Sequence, residues 1–241
     1  MRRRYLRGAF VGVLVSAAAV SATAGGAASS MRHGRMHRIS NSTSTNWSGY
    51  AVTGSRFTQV SASWTEPTVK CSGTAYSSFW VGLDGDTSGT VEQTGTDADC
   101  SGSTPQYYAW YEMYPKFPVN LSGTVRPGDK LSASVTTNGS GSFTLKLTDS
   151  TQGWTNTTTA RLKSAKLASA EVIAEAPSGS GGVLPLANFG TVSFSGATAN
   201  GKVLTSSTPN IDPITMASGS TVKAQPSSIS NGAFSVTWKH S

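Results

Sequence analysis

The sequence predicts an all-β fold, in which two antiparallel sheets pack face to face as a sandwich. Residues 130–136, 142–148 and 234–238 alternate apolar and polar side chains, which is the pattern of half-buried antiparallel strands. Residues 126–129 and 137–140 supply Pro, Gly, Asn and Asp for turns on either side of the first of these strands. No stretch of twelve or more residues keeps a helical period over a composition that favours helix, so strands are expected throughout.

The first residues have the pattern of an export signal. Four arginines within the first seven residues precede an apolar stretch at 9–20, which is too short and too rich in small residues for a stable membrane span. Residues 22–24 (Ala-Thr-Ala) then offer a cleavage site, and an uncleaved anchor is the alternative. We expect residues 1–24 to be a signal peptide, residues 25–43 a basic leader or short propeptide, and residues 44–241 one domain of a secreted protein, with no membrane contact in its mature form.

The positive charge of the chain is concentrated in its leader. The formal net charge is +7, from 19 Lys and Arg against 12 Asp and Glu. Seven of the basic residues lie at or before Arg38, so 12 basic residues balance 12 acidic ones in the rest of the chain. A nucleic-acid-binding protein carries its basic patch on the folded domain. Nucleic-acid binding is therefore excluded.

The histidines exclude most hydrolase chemistries. None lies between His37 and His240. Ser–His and Cys–His nucleophile pairs need an imidazole to take a proton, and zinc hydrolase sites draw on two or three histidines. An enzyme built on this domain is expected to work with carboxyl groups, without a metal or an organic cofactor.

The two cysteines, Cys71 and Cys100, favour a disulfide. An even count in an exported protein indicates pairing, and the bond would close a loop of about thirty residues, a stabilisation of roughly 3 kcal/mol in the entropic view. Two buried free thiols are the alternative. A metal site is not expected, because neither cysteine has a Cys-x-x-Cys partner or a nearby histidine.

Three polar side chains outside the aromatic segments are candidates for chemistry. On a strand, Glu171 and Glu175 share one face and flank Ile173, which is costly unless that face lines a wet cleft. An exposed strand face is the alternative. Gln93 can donate from its amide nitrogen without carrying a charge, so it can hold a developing oxyanion. The alternative for Gln93 is a surface position before a turn.

Two aromatic segments each contain a carboxylate. Alternation places Trp80 and Asp84 on one face of their strand, and Trp110 and Glu112 on one face of theirs. Aromatic walls with convergent carboxylates suit a substrate cleft. Core packing is the alternative, and it fits Asp84 and Glu112 poorly, because carboxylates in a core need partners.

Six short segments carry a further signal: 46–50 (NWSGY), 60–64 (VSASW) with Pro67, 80–86 (WVGLDGD), 93–95 (QTG), 109–112 (AWYE) with Tyr114-Pro115, and 170–175 (AEVIAE). Together they resemble the glutamic peptidases, the eqolisin family, and they occur in family order. The resemblance implies a lectin-like sandwich with a cleft across one concave face. It also implies a catalytic pair, Gln93 and Glu175, with Glu171 as a neighbour. The residues that match cleft positions of the family are Trp47, Trp80, Asp84, Trp110 and Glu112.

The resemblance implies a secreted, acid-acting endopeptidase that is independent of metals and insensitive to pepstatin. Glu175 would act as general base on a water and then as general acid on the leaving nitrogen, while Gln93 stabilises the oxyanion. Asp84 and Glu112 would raise the pKa of Glu175 if they lie close and charged. Polypeptides are the expected partners, and a monomer is the expected state.

The chain departs from the family pattern beside the predicted catalytic pair. Ala176 and Pro177 follow Glu175 where an acidic residue and an aromatic are common, and Tyr108 stands where aspartate is frequent. These differences bear on subsite preference and on the pH optimum rather than on the pair itself.

A carbohydrate-active β-sandwich is the alternative function. A retaining glycoside hydrolase needs two carboxyl groups about 5 to 5.5 Å apart. Glu171 and Glu175 are separated by roughly 13 Å along a strand, so that chemistry would need Glu112 or Asp84 as a partner. A non-catalytic carbohydrate-binding module would use the Trp and Tyr side chains as platforms and would tolerate the loss of Gln93.

The leader carries one further hypothesis. Arg32, Arg35 and Arg38 would sit against the carboxylates of the cleft and be released in acid, as a short propeptide would be. A solvated linker is the alternative.

Overall fold

The computed structural model describes residues 31–40 and 42–241. These residues form strands and turns, and no helix among them could cross a membrane. The predicted signal peptide at 1–24 lies outside the described residues, as does the leader at 25–30. The strands are β1 (Arg38–Ser40), β2 (Thr43–Ser44), β3 (Trp47–Thr53), β4 (Gln59–Thr65), β5 (Ser78–Leu83), β6 (Val91–Ser101), β7 (Thr104–Tyr114), β8 (Val119–Asn120), β9 (Lys130–Thr137), β10 (Ser142–Asp149), β11 (Trp154–Arg161), β12 (Ser169–Glu175), β13 (Ser178–Gly179), β14 (Gly182–Val183), β15 (Thr191–Ala199), β16 (Lys202–Val203), β17 (Ile211–Ser218), β18 (Thr221–Pro226) and β19 (Phe234–Trp238).

Most of these strands belong to two sheets. The front sheet has the order β17-β3-β12-β5-β6-β7-β8. The back sheet has the order β1-β2-β17-β18-β19-β15-β4-β9-β10-β11. Strand β17 is shared, because residues 211–214 pair with β3 and residues 215–218 pair with β2 and β18. Among these described strands only β2 and β17 pair in parallel, and the predicted sandwich of two antiparallel sheets is confirmed.

The main core lies between the two sheets. Strands β9, β10 and β19 cover the three segments whose alternation predicted strands. Leu131 and Leu145, on the inner faces of β9 and β10, are buried in one apolar cluster with Phe79 and Val172 of the front sheet. Burial of each such large side chain stabilises the fold by about 1.5–3 kcal/mol.

The front sheet is also covered on the face turned away from this core, which we call the outer face. Every residue of β5 and β12 is buried. The cover includes residues 31–40, which we call the N-terminal segment, with Met36 packed into a second apolar cluster. That cluster contains Trp47, Trp80, Trp110 and Ile173 of the outer face. The front sheet therefore has two buried faces, and the face that carries Glu171 and Glu175 is covered where the sequence analysis expected a wet cleft.

The predicted disulfide is confirmed. A bond joins Cys71, in the loop before β5, to Cys100 near the end of β6. It ties that loop to the strand that also carries Gln93.

Candidate active site

The sheet register brings most of the predicted site residues onto the outer face in rows that run across the strands. In the first row, Glu171 of β12 lies opposite Gly82 of β5, which lies opposite Gln93 of β6. Gln93 in turn lies opposite Glu112 of β7. The second row, two residues further along β12, is Ile173–Trp80–Gly95–Trp110. The third row, four residues further along β12, is Glu175–Ser78–Asp97–Tyr108.

Two glycines leave the space that Trp80 occupies. A Cβ atom at Gly82 would lie 2.8 Å from the indole of Trp80. A Cβ atom at Gly95 would lie 2.6 Å from Trp80 Cβ and would overlap the carbonyl oxygen of Phe79. A side chain at either position would displace Trp80, so the glycine of the Gln-Thr-Gly motif fixes an aromatic side chain of the site.

Glu175 is held by two donors. Its Oε2 accepts a hydrogen bond from Trp80 Nε1 at 2.9 Å, and its Oε1 accepts one from Asn46 Nδ2 at 3.3 Å. Burial raises the pKa of Glu175 well above its usual range, and the charge of Glu112 raises it further. The charge of His33 and the Trp80 hydrogen bond act in the opposite direction. Glu112 thus has the predicted effect on the pKa of Glu175, whereas the second carboxylate that raises this pKa is Asp97 and not the predicted Asp84.

Gln93 points its amide nitrogen at a peptide carbonyl. Its Nε2 donates to the backbone oxygen of His33 in the N-terminal segment, and also approaches Glu112 Oε2 at 3.3 Å. Its Oε1 accepts no hydrogen bond from the described residues. Within this part of the chain no hydrogen bond joins Gln93 to Glu175 directly. Gln93 bonds to the N-terminal segment at His33, and Glu175 is linked to the segment through Asn46, which also donates to the carbonyl oxygen of Arg35 at 3.1 Å.

The N-terminal segment crosses the outer face in an extended form. The backbone of Arg32 pairs with that of Ser178 through two hydrogen bonds of 2.9 and 3.0 Å. Further along, the carbonyl oxygen of Gly34 accepts from Trp47 Nε1 at 3.1 Å, and the N–H of Met36 donates to the carbonyl oxygen of Gly85 at 3.0 Å. The segment is therefore bound as an extra chain across the ends of several strands.

His33 is the residue of the segment that meets the carboxylates of the outer face. Its ring stacks on Trp110 with centroids 3.7 Å apart and planes inclined by 7°. Its Nε2 lies 3.1 Å from both carboxylate oxygens of Asp97, and its Nδ1 lies 3.5 Å from Glu112 Oε2. Its backbone N–H donates to the same Glu112 oxygen at 2.9 Å.

The surroundings of His33 favour its charged form. Burial lowers the pKa of His33, but the charge and hydrogen bond of Asp97 and those of Glu112 raise it by more, and it lies well above its usual range. Burial raises the pKa of Glu112, while His33 lowers it. The buried imidazole of His33 thus lies between two carboxyl groups that favour its protonated form.

His33 makes the contacts with the carboxylates of the outer face that the sequence analysis expected from arginines. Arg32 donates to the carbonyl oxygen of Pro115 at 2.7 Å and lies over the ring of Phe117 at 4.0 Å. Arg35 is exposed. Arg38 does meet carboxylates, but these are Asp86, in a close ion pair, and Asp212, at 3.4 Å, and neither lies in the rows that hold Gln93 and Glu175.

Asp84 holds a turn of the backbone. Its carboxylate accepts hydrogen bonds from the N–H groups of Lys166, Leu167 and Ala168, each at 2.8 Å. Leu167 adopts a φ of 57°, which a leucine rarely does. These bonds hold the turn that leads into β12. A cleft-lining role for Asp84 stays a prediction, and its contacts favour this structural one.

Glu171 and Glu92 form a second group of buried acids. Burial raises the pKa of Glu171, and the charges of Asp86 and Asp84 raise it further. Burial, together with Asp84, raises the pKa of Glu92 to about 9. Burial thus favours the neutral form of both side chains. Glu175 differs from them in accepting hydrogen bonds from Trp80 and Asn46.

Sequence reasoning missed Asp97, Asn46 and His33 as parts of the site. Asp97 continues the period-2 series that begins with Gln93, so alternation along β6 was a usable signal. Asn46 is the first residue of the segment 46–50, and nothing local in the sequence indicates that its amide contacts Glu175. Within the described residues, no group of His, Cys, Asp or Glu side chains is arranged to hold a metal ion.

Comparisons with known proteins match most of the chain. The profile described as the peptidase A4 family matches residues 45–238. Aspergillopepsin-2 of Aspergillus niger is 30% identical over 181 residues, which cover 65% of this chain and 64% of that protein. Scytalidopepsin B of Scytalidium lignicola is 42% identical over 105 residues, which cover 42% of this chain and 39% of that protein. The matches therefore span less than two thirds of these relatives.

Solved structures share the fold along more of their length. Scytalido-glutamic peptidase with a transition state analog inhibitor superposes with a TM-score of 0.71 at 29% identity, covering 81% of this chain and 98% of that one. Aspergilloglutamic peptidase from Aspergillus niger gives a TM-score of 0.62 at 27% identity, covering 68% and 99%. The resemblance found in six short segments is confirmed, and the chain belongs to the peptidase A4 family.

Proposed function

We propose that this chain is a secreted glutamic endopeptidase, in which Gln93 and Glu175 hydrolyse peptide bonds in acid. The observation that carries the proposal is the hydrogen bond from the Gln93 amide to a peptide carbonyl lying across the outer face. An amide donor on a carbonyl, beside a buried carboxyl group, supplies the parts that amide hydrolysis needs. Family membership supports the same reading, since two relatives are described as glutamic peptidases.

The proposed reaction divides the work between the two side chains. Ionised Glu175 takes a proton from a water that attacks the carbonyl carbon, and Gln93 Nε2 donates to the oxygen as negative charge develops on it. Glu175 then passes the proton to the leaving nitrogen, and the carbon–nitrogen bond breaks. Loss of one donor to an oxyanion typically raises the barrier by about 2.7–4 kcal/mol, a rate loss of roughly 10²–10³.

Trp80 and Asn46 keep the carboxylate of Glu175 in one orientation. Both donate hydrogen bonds to it, and the bond from Trp80 favours its ionised form, whereas burial disfavours that form. The raised pKa of Glu112 means that this neighbour takes up a proton as the solution becomes acidic. Its charge then no longer raises the pKa of Glu175. Burial, the largest cause of that raised pKa, acts while the N-terminal segment covers the outer face, so the proposal requires that Glu175 be exposed to water before it acts as a base in acid.

The outer face favours a peptide over a sugar as its ligand. The aromatic side chains that would be platforms for a carbohydrate, Trp47, Trp80 and Trp110, are fully buried. Trp47 donates to a peptide carbonyl, and Trp110 stacks on a histidine side chain. A related structure holds the tripeptide Ala-Ile-His. These contacts support polypeptides as substrates.

Hydrolysis of acid-denatured haemoglobin between about pH 2 and 7 tests the proposal, with pepstatin present throughout. A chain that starts at Gly34 is used, because all nineteen described strands follow that residue. We expect pepstatin-resistant cleavage that falls at least about 100-fold in Gln93→Ala and in Glu175→Gln. The control is Glu171→Gln, whose side chain lies on the same strand but pairs with none of the donors of Glu175.

Near wild-type turnover in Glu175→Gln would contradict the assigned chemistry. No cleavage at any pH by the folded chain would contradict the proposed activity altogether.

A further inference from the structure

The charged side chains of the domain are sorted between its interior and its surface. Ten of the 12 Asp and Glu side chains are buried, and the other two, Asp86 and Asp212, are partly buried and contact Arg38. Of the 12 Lys and Arg residues that follow Arg38, only Lys223 is buried and the other 11 are exposed. Over residues 31–40 and 42–241, no Asp or Glu side chain is exposed, so the surface carries mainly positive charge.

The balance of charges in the sequence conceals this surface charge. Twelve basic residues offset 12 acidic ones after Arg38, but a buried acid that is neutral adds nothing to the field outside the protein. Burial raises the pKa of Glu66 to about 8 and that of Glu92 to about 9, for example. Lysine and arginine keep their charge throughout the acid and neutral range. The surface is therefore positive from acid to neutral pH.

The side of the back sheet that is turned away from the core, which we call the back face, is built of hydroxyl groups and a few cations. On its strands β4, β9, β10 and β11, the side chains that alternate with the core residues are Ser, Thr, Gln, Lys or Arg. The register aligns them in rows across the strands, one of which is Ser63–Ser132–Thr148–Thr155. None of these outward positions holds an acidic or an aromatic side chain.

Three exposed cations form a diagonal line across the back face, with Lys130 on β9, Lys146 on β10 and Arg161 on β11. Lys146 lies opposite Ser134, which is four residues along β9 from Lys130. Arg161 lies opposite Ser142, which is four residues along β10 from Lys146. Each step is roughly 14 Å, for four residues along a strand and one strand across, so the line spans about 28 Å.

Two adjoining grooves lie beside this line of cations. One groove has a volume of about 250 Å³ and contains Lys146, and the other has a volume of about 430 Å³ and contains Lys130. Ser63 and Ser132 line both grooves. The walls therefore offer hydroxyl groups, which donate and accept hydrogen bonds, between two positive charges.

The chemistry of the back face distinguishes between classes of anionic polymer. Sugar hydroxyls donate and accept hydrogen bonds, as Ser and Thr hydroxyls do, and a carboxylate on the sugar pairs with lysine or arginine. Single-stranded nucleic acids are bound by stacking of their bases on aromatic side chains, and the outward positions of β4, β9, β10 and β11 hold none. The face therefore suits an acidic polysaccharide better than a nucleic acid.

We propose that the back face binds a linear polysaccharide that carries carboxylate groups, along the line from Lys130 through Lys146 to Arg161. The three cations pair with carboxylates on separate sugar units, and the rows of hydroxyl groups bond to the sugar hydroxyls between them. Because one polymer chain meets all three cations, contacts that are weak singly act together. The back face and the outer face lie on opposite sides of the sandwich, so a polymer bound there does not compete for the face that carries Gln93.

Binding of the full chain to polygalacturonate tests the proposal, at about pH 5, where the polymer and the lysines are both charged. An uncharged galactan and a single-stranded DNA of matched charge are measured in parallel. We expect the chain to bind polygalacturonate with an affinity that falls as the salt concentration rises, because counterions are released from the polymer on binding. We expect no binding to the galactan and weaker binding to the DNA.

A triple variant tests the line of cations. Lys130→Gln, Lys146→Gln and Arg161→Gln together are expected to weaken binding of polygalacturonate about tenfold. The slope of log affinity against log salt concentration is expected to fall by up to about 2, because three ion pairs are lost. All three positions are exposed, and an unchanged melting temperature checks that the variant is folded.

A matched control removes the same charge elsewhere. Lys70, Lys116 and Lys166 are exposed and lie outside the strands of the back sheet, so replacing all three with Gln is expected to weaken binding less than about threefold. Ser134→Glu places a carboxylate opposite Lys146 and is expected to weaken binding several-fold more than Ser134→Gln.

Equal losses in the two triple variants would overturn the assignment to the back face, because binding would then follow the total charge alone. Tighter binding to the DNA than to polygalacturonate would overturn the assigned class of polymer, and so would equal binding to the uncharged galactan. Failure of the full chain to bind polygalacturonate at low salt would refute the proposal outright. None of these results depends on peptidase activity, so the proposed function stands or falls separately.

Discussion

Asp84 offers the sharpest test of how the site is built, because its contacts give it a structural role where its position in the sequence suggested a cleft residue. Asp84→Ala removes the acceptor of three backbone N–H groups, those of Lys166, Leu167 and Ala168. The N–H of Leu167 is in a buried bond, and the other two are partly buried.

The structure sets the size of the expected effect. A buried donor left without an acceptor costs about 1–3 kcal/mol, and hydrogen bonds to a charged group contribute about 1.5–3 kcal/mol each. Water can replace part of the two less buried bonds. Leu167, at a φ of 57°, also loses the contacts that keep it in an unfavourable conformation. We expect the free energy of unfolding to fall by about 3–5 kcal/mol, and the melting temperature to fall by roughly 10 °C.

Urea unfolding at pH 6 measures the loss in the free energy of unfolding, and a variant of the nearby Asp86 serves as a control. Asp84→Asn keeps one oxygen acceptor and is expected to lose about half as much as Asp84→Ala. Asp86→Asn removes the charge of an acid two residues away that pairs with Arg38. It keeps an oxygen acceptor for this one partner, so its cost should be smaller than that of Asp84→Ala. An Asp84→Ala chain with unchanged stability and a large loss of kcat/KM would refute the structural role and restore the cleft role.

Two further predictions concern pH. Glu92 has a pKa raised to about 9 in the fold, chiefly by burial, so the unfolded chain releases this proton at lower pH than the folded one. The contribution of Glu92 to stability is full below about pH 4 and is lost as the pH rises toward 9. Glu92→Gln should therefore reduce the change in the free energy of unfolding between pH 4 and 8 by up to about 4 kcal/mol. An unchanged slope of this free energy against pH, measured by urea unfolding, would contradict the prediction. Trp80→Phe removes a hydrogen bond that lowers the pKa of Glu175, so the acidic limb of kcat/KM for the Gly34 chain should move to higher pH. Trp64→Phe, which alters a tryptophan bonded to Thr96 on the core side, should leave that limb in place, and coincident profiles for the two variants would contradict the assignment.

The fold followed from the sequence because alternation is a local property. Strands such as β9 and β10 carry apolar side chains at every second position, and hydrogen bonding to any neighbour preserves that face. The cover over the outer face of the front sheet was harder to predict. Alternation places Trp110 and Glu112 on one face of their strand, but it does not show that another part of the chain covers them.

The unpredicted parts of the site depend on contacts between distant residues. His33 and Asp97 are 64 positions apart, and Asp84 lies 82 to 84 positions from the amides it binds. Such pairs are decided by the path of the chain in three dimensions, and no spacing rule reports them. The family resemblance supplied Gln93 and Glu175 because short motifs keep their order, whereas the contacts of the leader lie outside those motifs.

The extended form of the N-terminal segment has a consequence for which proteins can be digested. From Arg32 to Met36 the segment is bonded through its backbone at both ends, a span of roughly 13 Å for an extended chain. A competing chain must offer the same length with its own amides and carbonyls unpaired. In strands inside a folded domain, including those of this domain, the amides and carbonyls are already hydrogen-bonded to neighbouring strands. Under the proposed function, a compact protein resists digestion until acid unfolds it, and the folded state of the peptidase is its own protection.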